Sequence, residues 1–405
     1  MKPFRRILTG KKILLGVCGG IAAYKIPGLL RRLIKEGAEV RVVLTEGAEA
    51  FITPLTFEAL CREKVFCQCD FLNPPPGCIP HTELGAFAEA ILVAPATASF
   101  LASLASGDAR SLLVATILAS RAPVLLFPAM NTKMWEHPAV KENVKKIASW
   151  GYKVFTPEEG ALACGEWGPG RLPEEEIILA HLEKTLALQD FSNCKVLITA
   201  GPTREPLDAV RFLSNRSSGR MGVALAEAAW KRGAEVILVH GPLSSSPLPL
   251  IRRIPVETAA QMAEAVLSLL PKVDILLMAA AVADYRPQDT WSGKLKKTSP
   301  SLTISLERTP DILKEVSSRR KPGQVIVGFA AEEEEFLPQE ARRKLKEKGL
   351  DLIVANPIDR PETGFESATN EVFLFFADGR KIHLPLAPKD VIAWQILDAI
   401  KELQK

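Results

Sequence analysis

The chain has 405 residues, 47% of them hydrophobic and 24% charged, with a formal net charge of +4. That is enough apolar material for two or three packed domains, and the charge is too small and too mixed with acids to form a broad nucleic-acid surface. Seven unevenly spaced cysteines argue against a secreted disulfide framework and point to the reducing cytoplasm.

The basic residues 1–6 resemble the opening of a signal peptide. The apolar run after Lys12, however, is short, contains Gly16, Gly19 and Gly20, and reaches no small-residue cleavage site, so it reads as a first strand. Strand-length apolar runs at 13–17, 40–44, 91–94 and 124–127 alternate with helical patterns near 22–35, 54–62, 98–106 and 112–120. Arg121 and Pro123 interrupt the stretch 112–127, which therefore falls short of the roughly 20 apolar residues of a membrane span. The second half repeats the rhythm with strands at 196–199, 236–239, 275–279, 325–329 and 352–355. Such alternation predicts an α/β fold with mainly parallel sheets covered by helices on both faces. Glu36-Gly-Ala-Glu-Val40 and Arg232-Gly-Ala-Glu-Val236 echo each other, each with a glycine placed to stop a helix before a strand. The boundary is expected within 184–194, giving domains 1–190 and 191–405. Asp378-Gly379 predicts a hairpin between 372–376 and 381–384, and a last helix follows over 389–403.

Two glycine segments stand out at strand ends, Gly16-Val-Cys-Gly-Gly-Ile-Ala-Ala-Tyr-Lys25 and Gly201-Pro-Thr-Arg204 running on to Ser217-Ser-Gly-Arg-Met-Gly222. Glycine lets backbone N–H groups and a helix N-terminus approach a phosphate, so each reads as a nucleotide-type site. Neither carries the strict Gly-x-Gly-x-x-Gly fingerprint of a dinucleotide site, and the second half has no P-loop lysine motif. Ala94-Pro-Ala-Thr-Ala98 and Pro128-Ala-Met-Asn131 follow strands and thus face the ligand edge of an open sheet, although a tight turn and an Asn helix cap would explain them nearly as well. His81 opens a helix after a stiff proline loop. Leu162-Ala-Cys-Gly-Glu-Trp-Gly-Pro-Gly-Arg171 reads as a mobile loop able to close over a substrate and bring a thiol, or as a purely structural loop. Cys67, Cys69, Cys78 and His81 lack the paired Cys-x-x-Cys spacing of a zinc site.

In order and spacing, these first-half motifs, together with His81-Thr-Glu-Leu84 and Leu162-Ala-Cys-Gly165, resemble the flavin-dependent phosphopantothenoylcysteine decarboxylases. The second half resembles the phosphopantothenate–cysteine ligase domain that bacteria fuse to them, so the likeness to the bifunctional enzymes of coenzyme A biosynthesis covers nearly the whole chain. It implies two Rossmann-like three-layer domains, the first flavodoxin-like and the second a ligase. It also implies FMN held by Gly19, Gly20, Ile21, Thr45, Ala94, Pro95, Ala96 and Thr97. In such enzymes the substrate thiol is oxidised to a thioaldehyde, carbon dioxide leaves, and the electrons return with a proton. The resemblance gives His81 the oxidative and decarboxylating half, Asn131 the substrate carboxylate, and Cys164 the final proton. Cys18 stands where the family commonly has Ser or Thr, Ser99 replaces a frequent Asn, and Gly107-Asp-Ala-Arg-Ser111, with Arg110 in it, lacks the acidic or amide pair usually found after the glycine. The thiol at Cys18 is the weaker donor to a phosphate.

For the second half, the resemblance implies that CTP is bound by Ala280, Asp284, Lys294, Pro310, Asp311, Ile312, Leu313, Phe329, Lys344 and Lys348, with Mg2+ carried mainly by the triphosphate. Lys294 would stabilise charge at the α-phosphate, and Arg211 and Asn215 would hold the acyl intermediate. Lys344 and Lys348 also fit an ordinary exposed helix face. The implied assembly is a homo-oligomer of decarboxylase trimers and ligase dimers acting on small molecules. A non-catalytic regulatory flavoprotein and a flavin-dependent reductase are the competing readings.

Overall fold

A computed structural model describes residues 7–296, 301–359 and 367–404. The chain divides into two units between Ala187 and Leu188.

In the first unit, strands β1 (Lys12–Val17), β2 (Glu39–Leu44), β3 (Ala90–Ala96), β4 (Val124–Pro128) and β5 (Lys153–Val154) form one sheet in the order β2-β1-β3-β4-β5. Every pairing in it is parallel. Side chains alternate across a strand, and here both faces are apolar because both are covered. Ile13, Leu15 and Val17 enter one core with Leu29, Leu30 and Leu33 of the helix Ile26–Lys35. Leu14 and Cys18 enter the other with Leu101, Leu104 and Leu113. The register of β3 shifts between Val93 and Ala96, so Ala94 joins the first core and Ala96 the second.

The helix expected over 22–35 is split into a 3₁₀ turn, Ile21–Lys25, and the α-helix Ile26–Lys35. Pro27 lies in the first turn of the α-helix, where its missing N–H does no harm. The segment 162–171 is not one loop. Trp167–Arg171 is strand β7 of a hairpin with β6 (Glu158–Ala161), and only its tip turns, closed by Leu162 N–H donating to Glu166 O at 2.8 Å with Gly165 at φ +83°.

The second unit contains an eight-stranded sheet with two short ribbons beside it. Its strands are β8 (Lys195–Ala200), β9 (Arg204–Pro206), β10 (Phe212–Ser214), β11 (Glu235–His240), β12 (Arg252–Pro255), β13 (Ile275–Met278), β14 (Tyr285–Pro287), β15 (Leu306–Arg308), β16 (Val325–Glu332), β17 (Leu352–Pro357), β18 (Thr369–Phe376) and β19 (Lys381–Pro388). The large sheet runs β12-β11-β8-β13-β16-β17-β18-β19, and β9–β10 and β14–β15 form the ribbons. Pairings from β12 to β17 are parallel, and the hairpin β18–β19 completes the edge antiparallel. Leu197, Leu276 and Ile326 meet the helices Ala259–Leu269, Ile312–Arg319 and Leu337–Glu347 on one face. The helix Arg220–Lys231 lies on the other, so close that a Cβ on Gly222 would stand 2.5 Å from that of Ala200. The two echoing glycines adopt the left-handed conformation their position demands, Gly37 at φ +87° and Gly233 at φ +99°. The last helix spans Lys389–Leu403. Among the described residues no helix is long and apolar enough to cross a membrane.

Candidate functional site

The first unit opens a cavity of about 1430 Å³ at the carboxyl ends of β1 to β4, where open parallel sheets bind ligands. Gly19, Gly20, Ile21, Thr45, Pro95 and Thr97 line it, as do Cys18, Ser99 and Arg110. Gly19 is pressed onto the loop after β2: a Cβ there would stand 2.3 Å from the Gly47 carbonyl carbon. A Cβ on Gly20 would meet nothing nearer than Thr97 Cγ2 at 3.9 Å, so the backbone at that turn is open to a ligand. Ala94 and Ala96 depart from the expectation. Both are fully buried in the two cores and do not line the cavity, because successive residues of a fully covered strand point into the packing.

Cys18 is buried, and burial pushes its thiol up to about 12 despite an opposing hydrogen bond from the Thr97 backbone. It therefore stays neutral and presents no charge against a phosphate. Arg110 forms a two-point pair with Asp108, Nε to Oδ1 at 2.8 Å and Nη2 to Oδ2 at 2.5 Å. Its guanidinium holds the Asp108 carboxyl below the usual range. The exposed Arg110 side chain thus carries its own counter-ion.

Asn131 and Cys164 meet across the cavity. Asn131 Nδ2 lies 3.3 Å from Cys164 Sγ and donates to Glu166 Oε2 at 2.6 Å, while its Oδ1 accepts from Lys133 N–H at 2.8 Å and caps the helix Thr132–Glu136. The Asn cap expected as the plain reading is therefore real, and it fixes the amide so that Nδ2 points at the hairpin tip. Glu166, to which the sequence motifs assign no role, bridges the network: Lys133 Nζ is 2.8 Å from Oε1, and Cys164 Sγ is 3.9 Å from Oε2. Lys133 first, and Asn131 second, hold the Glu166 carboxyl below its ordinary range. His81 does not join this group. It lies on the helix Pro80–Phe87, edge-on to Phe71 at 5.5 Å, with a buried Nδ1 that has no hydrogen-bond partner among the described residues, and it does not line the cavity of its own chain. Cys67 is buried and its thiol is pushed up to about 12, mainly by burial. Among the described residues no three His, Cys, Asp or Glu side chains stand together as a metal site would require.

In the second unit a cavity of about 650 Å³ is lined by Ala280, Asp284, Pro310, Asp311, Ile312, Leu313, Phe329, Lys344 and Lys348, with the loop Ser217 to Gly222 on its wall. The two lysines are not idle surface cations. Lys344 Nζ reaches Glu332 at 2.6 Å and Lys348 Nζ reaches Asp311 at 3.2 Å. The segment 201–204 does not line the cavity. It works from behind, where the buried Thr203 hydroxyl accepts from Ala283 N–H at 3.0 Å, and Thr199 Oγ1 accepts from Ala280 N–H at 3.1 Å. Asn215 Nδ2 donates to the carbonyls of Ala281 and Val282 at 3.1 and 3.2 Å. These bonds fix the strand-end segment that lines the cavity.

Lys294, Arg211 and Asn215 stand outside this cavity. Arg211 is clamped to Asp208 and donates from Nη2 to Leu295 O at 2.9 Å, while Asp208 Oδ2 also accepts from Leu295 N–H at 3.0 Å. The Arg211 guanidinium is the main reason the Asp208 carboxyl is held far below its usual range. Asp208 and Arg211 thus tether the exposed Lys294 loop. Lys389 and Asn370 also line the cavity and the sequence motifs missed them, whereas Arg220, which lines it too, falls within the Ser217–Gly222 motif. The available signal was a lysine at the first position of a helix, against the helix dipole.

Two parallel α/β units, each with a glycine turn opening a cavity at its strand ends, define a two-domain protein for nucleotide-type ligands. Residues 2–187 match the family described as Flavoprotein, and residues 191–403 match the DNA/pantothenate metabolism flavoprotein C-terminal domain. The chain is 46% identical over 403 residues to the coenzyme A biosynthesis bifunctional protein CoaBC of Bacillus subtilis, with 98% of each chain covered. It is 43% identical over 401 residues to the protein of that name from Escherichia coli, with 97% of each covered. It therefore belongs to the family of coenzyme A biosynthesis bifunctional proteins. Among solved structures, the C-terminal domain of a CoaBC shares 41% identity, covering 53% of this chain and 97% of that one with a TM-score of 0.46. The FMN-dependent cysteine decarboxylase SpaF shares 33%, covering 45% of this chain and 99% of its own with a TM-score of 0.40.

Proposed function

We propose that the second unit joins 4′-phosphopantothenate to L-cysteine at the expense of CTP, and that the first unit decarboxylates the resulting 4′-phosphopantothenoylcysteine to 4′-phosphopantetheine with FMN. The observation that carries the reading is the meeting of Asn131 and Cys164 at 3.3 Å on the cavity wall. The residues suit FMN: a glycine turn without Cβ atoms, a neutral buried Cys18, and the Thr45 and Thr97 hydroxyls all border one cavity. Bound FMN supplies the two-electron oxidation of the substrate thiol and the later return of those electrons.

The chain's own residues do the rest. Asn131 already donates to a carboxylate, that of Glu166, and the substrate carboxylate takes the same Nδ2 once the hairpin tip shifts. After carbon dioxide leaves, Cys164 gives its thiol proton to the substrate carbon. The Lys133–Glu166 pair steadies the tip that carries it. His81 acts in the cavity of a neighbouring copy. In support, Ile21, Tyr24 and Leu72 line the cavity and are more than half exposed, as a rim covered by another subunit of a decarboxylase trimer would be, and His81 Nδ1 has no hydrogen-bond partner among the described residues.

In the ligase unit, Ala280, Asp284, the segment 310–313, Phe329, Lys344 and Lys348 hold CTP, and Mg2+ travels with the triphosphate. The phosphopantothenate carboxylate attacks the α-phosphorus and pyrophosphate departs. Lys294 offsets the charge that develops there. Arg211 and Asn215 hold the acyl-cytidylate while the cysteine amine attacks its carbonyl and releases CMP. Ligase dimers are the expected assembly, since Lys294 and Arg211 lie outside the cavity of a single chain.

Purified protein tests the first half of this assignment. It should be yellow, with near-stoichiometric FMN after reconstitution, and colourless folded protein that FMN cannot load would remove the decarboxylase reading.

A further inference from the structure

The β6–β7 hairpin is packed at its base and loosely tied at its tip. Gly168 and Gly170 are buried, and a Cβ on Gly168 would stand 2.7 Å from Thr132 Oγ1, so the base has no room to shift. Ala163, Cys164 and Gly165 at the tip are exposed. Among the described residues, the polar side-chain ties from the tip to the body are those of Cys164 and Glu166 to Asn131 and Lys133. Within the tip, Gly165 N–H donates to Leu162 O at 2.9 Å and Leu162 N–H donates to Glu166 O at 2.8 Å. Cys164 and Glu166 therefore share one hydrogen-bonded turn and move together.

Glu166 engages the body through both carboxylate oxygens. Oε2 accepts from Asn131 Nδ2 at 2.6 Å, and Oε1 lies 2.8 Å from Lys133 Nζ. Bonds this short are typical of an ionised acceptor, and Lys133 first, then Asn131, hold the carboxyl below its ordinary range, so Glu166 is an anion at neutral pH. A substrate carboxylate that takes Asn131 Nδ2 presents the same chemical group to the same donor. Two carboxylates at one donor repel each other, so Glu166 must leave for the substrate to enter. Its release is easy, because the Lys133 side chain is 82% exposed and that of Glu166 38%, and an ion pair so open to water is weak and readily screened.

We propose that Glu166 is a built-in competitor for the carboxylate site at Asn131: substrate displaces it and swings the tip aside, and departure of the carboxylate as carbon dioxide lets Glu166 return and carry Cys164 back to the substrate. This latch rests on the decarboxylase reading and adds to it the order of events, since the thiol comes to the substrate carbon only after the carboxylate has gone. The latch itself makes and breaks no covalent bond. Glu166 is a positioning residue, acting through Asn131 and Cys164.

Two ligands test the latch on full-length, FMN-loaded protein: 4′-phosphopantothenoylserine, which keeps the substrate carboxylate but has no thiol to oxidise, and 4′-phosphopantetheine, which has no carboxylate. Flavin absorbance follows both titrations and reports on the first unit alone. Glu166→Gln should bind the serine analogue about threefold to tenfold more tightly, because no fraction of the protein is held in the latched form. Its affinity for phosphopantetheine should stay within about twofold. Glu166→Ala should repeat the pattern. In single turnover with phosphopantothenoylcysteine, both variants should still release carbon dioxide but form phosphopantetheine about tenfold more slowly or worse, because Cys164 is no longer drawn back into place. Equal weakening of both ligands would make Glu166 a structural prop and overturn the proposal. So would unchanged affinity for the serine analogue, or phosphopantetheine formation at an unaltered rate. If neither ligand moves the flavin spectrum of the unaltered protein, the decarboxylase assignment itself falls and the latch with it, an outcome distinct from failure of the variants to differ.

Discussion

Replacing Cys164 by serine should separate carbon dioxide release from formation of the reduced product. The sulfur lies 3.3 Å from Asn131 Nδ2 and 3.9 Å from Glu166 Oε2. A serine oxygen sits roughly 0.4 Å nearer its own Cβ, leaving Asn131 at about 3.7 Å, beyond hydrogen-bond distance. The larger effect is chemical. A hydroxyl is a far weaker acid than a thiol, and loss of a positioned general acid typically slows proton transfer by about 10²–10⁴-fold. Asn131, Lys133 and Glu166 remain, so substrate binding and the decarboxylating half should persist. Supplied with phosphopantothenoylcysteine, the Cys164→Ser enzyme should release carbon dioxide in a first turnover, accumulate the unsaturated thiol, and form phosphopantetheine at a rate reduced by about three orders of magnitude. Single-turnover mass spectrometry of product and intermediate measures this. Phosphopantetheine formation at an unaltered rate would refute the role of Cys164, and loss of carbon dioxide release as well would show that the thiol acts earlier.

Lys294→Gln should abolish ligation yet leave decarboxylation of supplied phosphopantothenoylcysteine unchanged, measured by parallel assays of pyrophosphate and carbon dioxide; loss of both would contradict independent sites. Asp208→Asn should weaken the clamp on Arg211 and Leu295 and lower ligation with little effect on CTP affinity, a split that calorimetry and turnover together reveal. His181, packed tilted against Phe155 at 4.1 Å, is lowered from 6.5 to about 4, chiefly by burial and then by Lys184 and Lys153. Its folded form resists protonation, so its contribution to stability is complete above pH 6.5 and is lost as pH falls towards 4. The melting temperature of the first unit should drop across that window, and His181→Phe should flatten the drop; an unchanged slope would place its cause elsewhere.

The strands and the parallel sheets were legible because each buried strand is a short apolar run between helical patterns, and because glycines 37 and 233 mark helix ends that the backbone then takes at positive φ. The hairpin tip was harder to read. Gly168 and Gly170 suggest a loose loop in sequence, yet a Cβ on Gly170 would stand 2.2 Å from Met130 O, so these glycines serve close packing of β7 beside Asn131. Glu166 lay within the 162–171 motif without a role of its own, because its role arises from long-range neighbours, Lys133 and Asn131. Ala94 and Ala96 belong to the motif of small residues, and their side chains fill the core. His81 reads as a site residue in sequence, but it does not line the cavity that Asn131 and Cys164 share within the chain.

The most direct test of the account supplies the FMN-loaded protein with 4′-phosphopantothenate, L-cysteine, magnesium and one nucleoside triphosphate at a time, following pyrophosphate, carbon dioxide and phosphopantetheine together. All three should appear with CTP, in that order, with phosphopantothenoylcysteine as the transient species. CTP consumption without phosphopantothenoylcysteine or phosphopantetheine would contradict it.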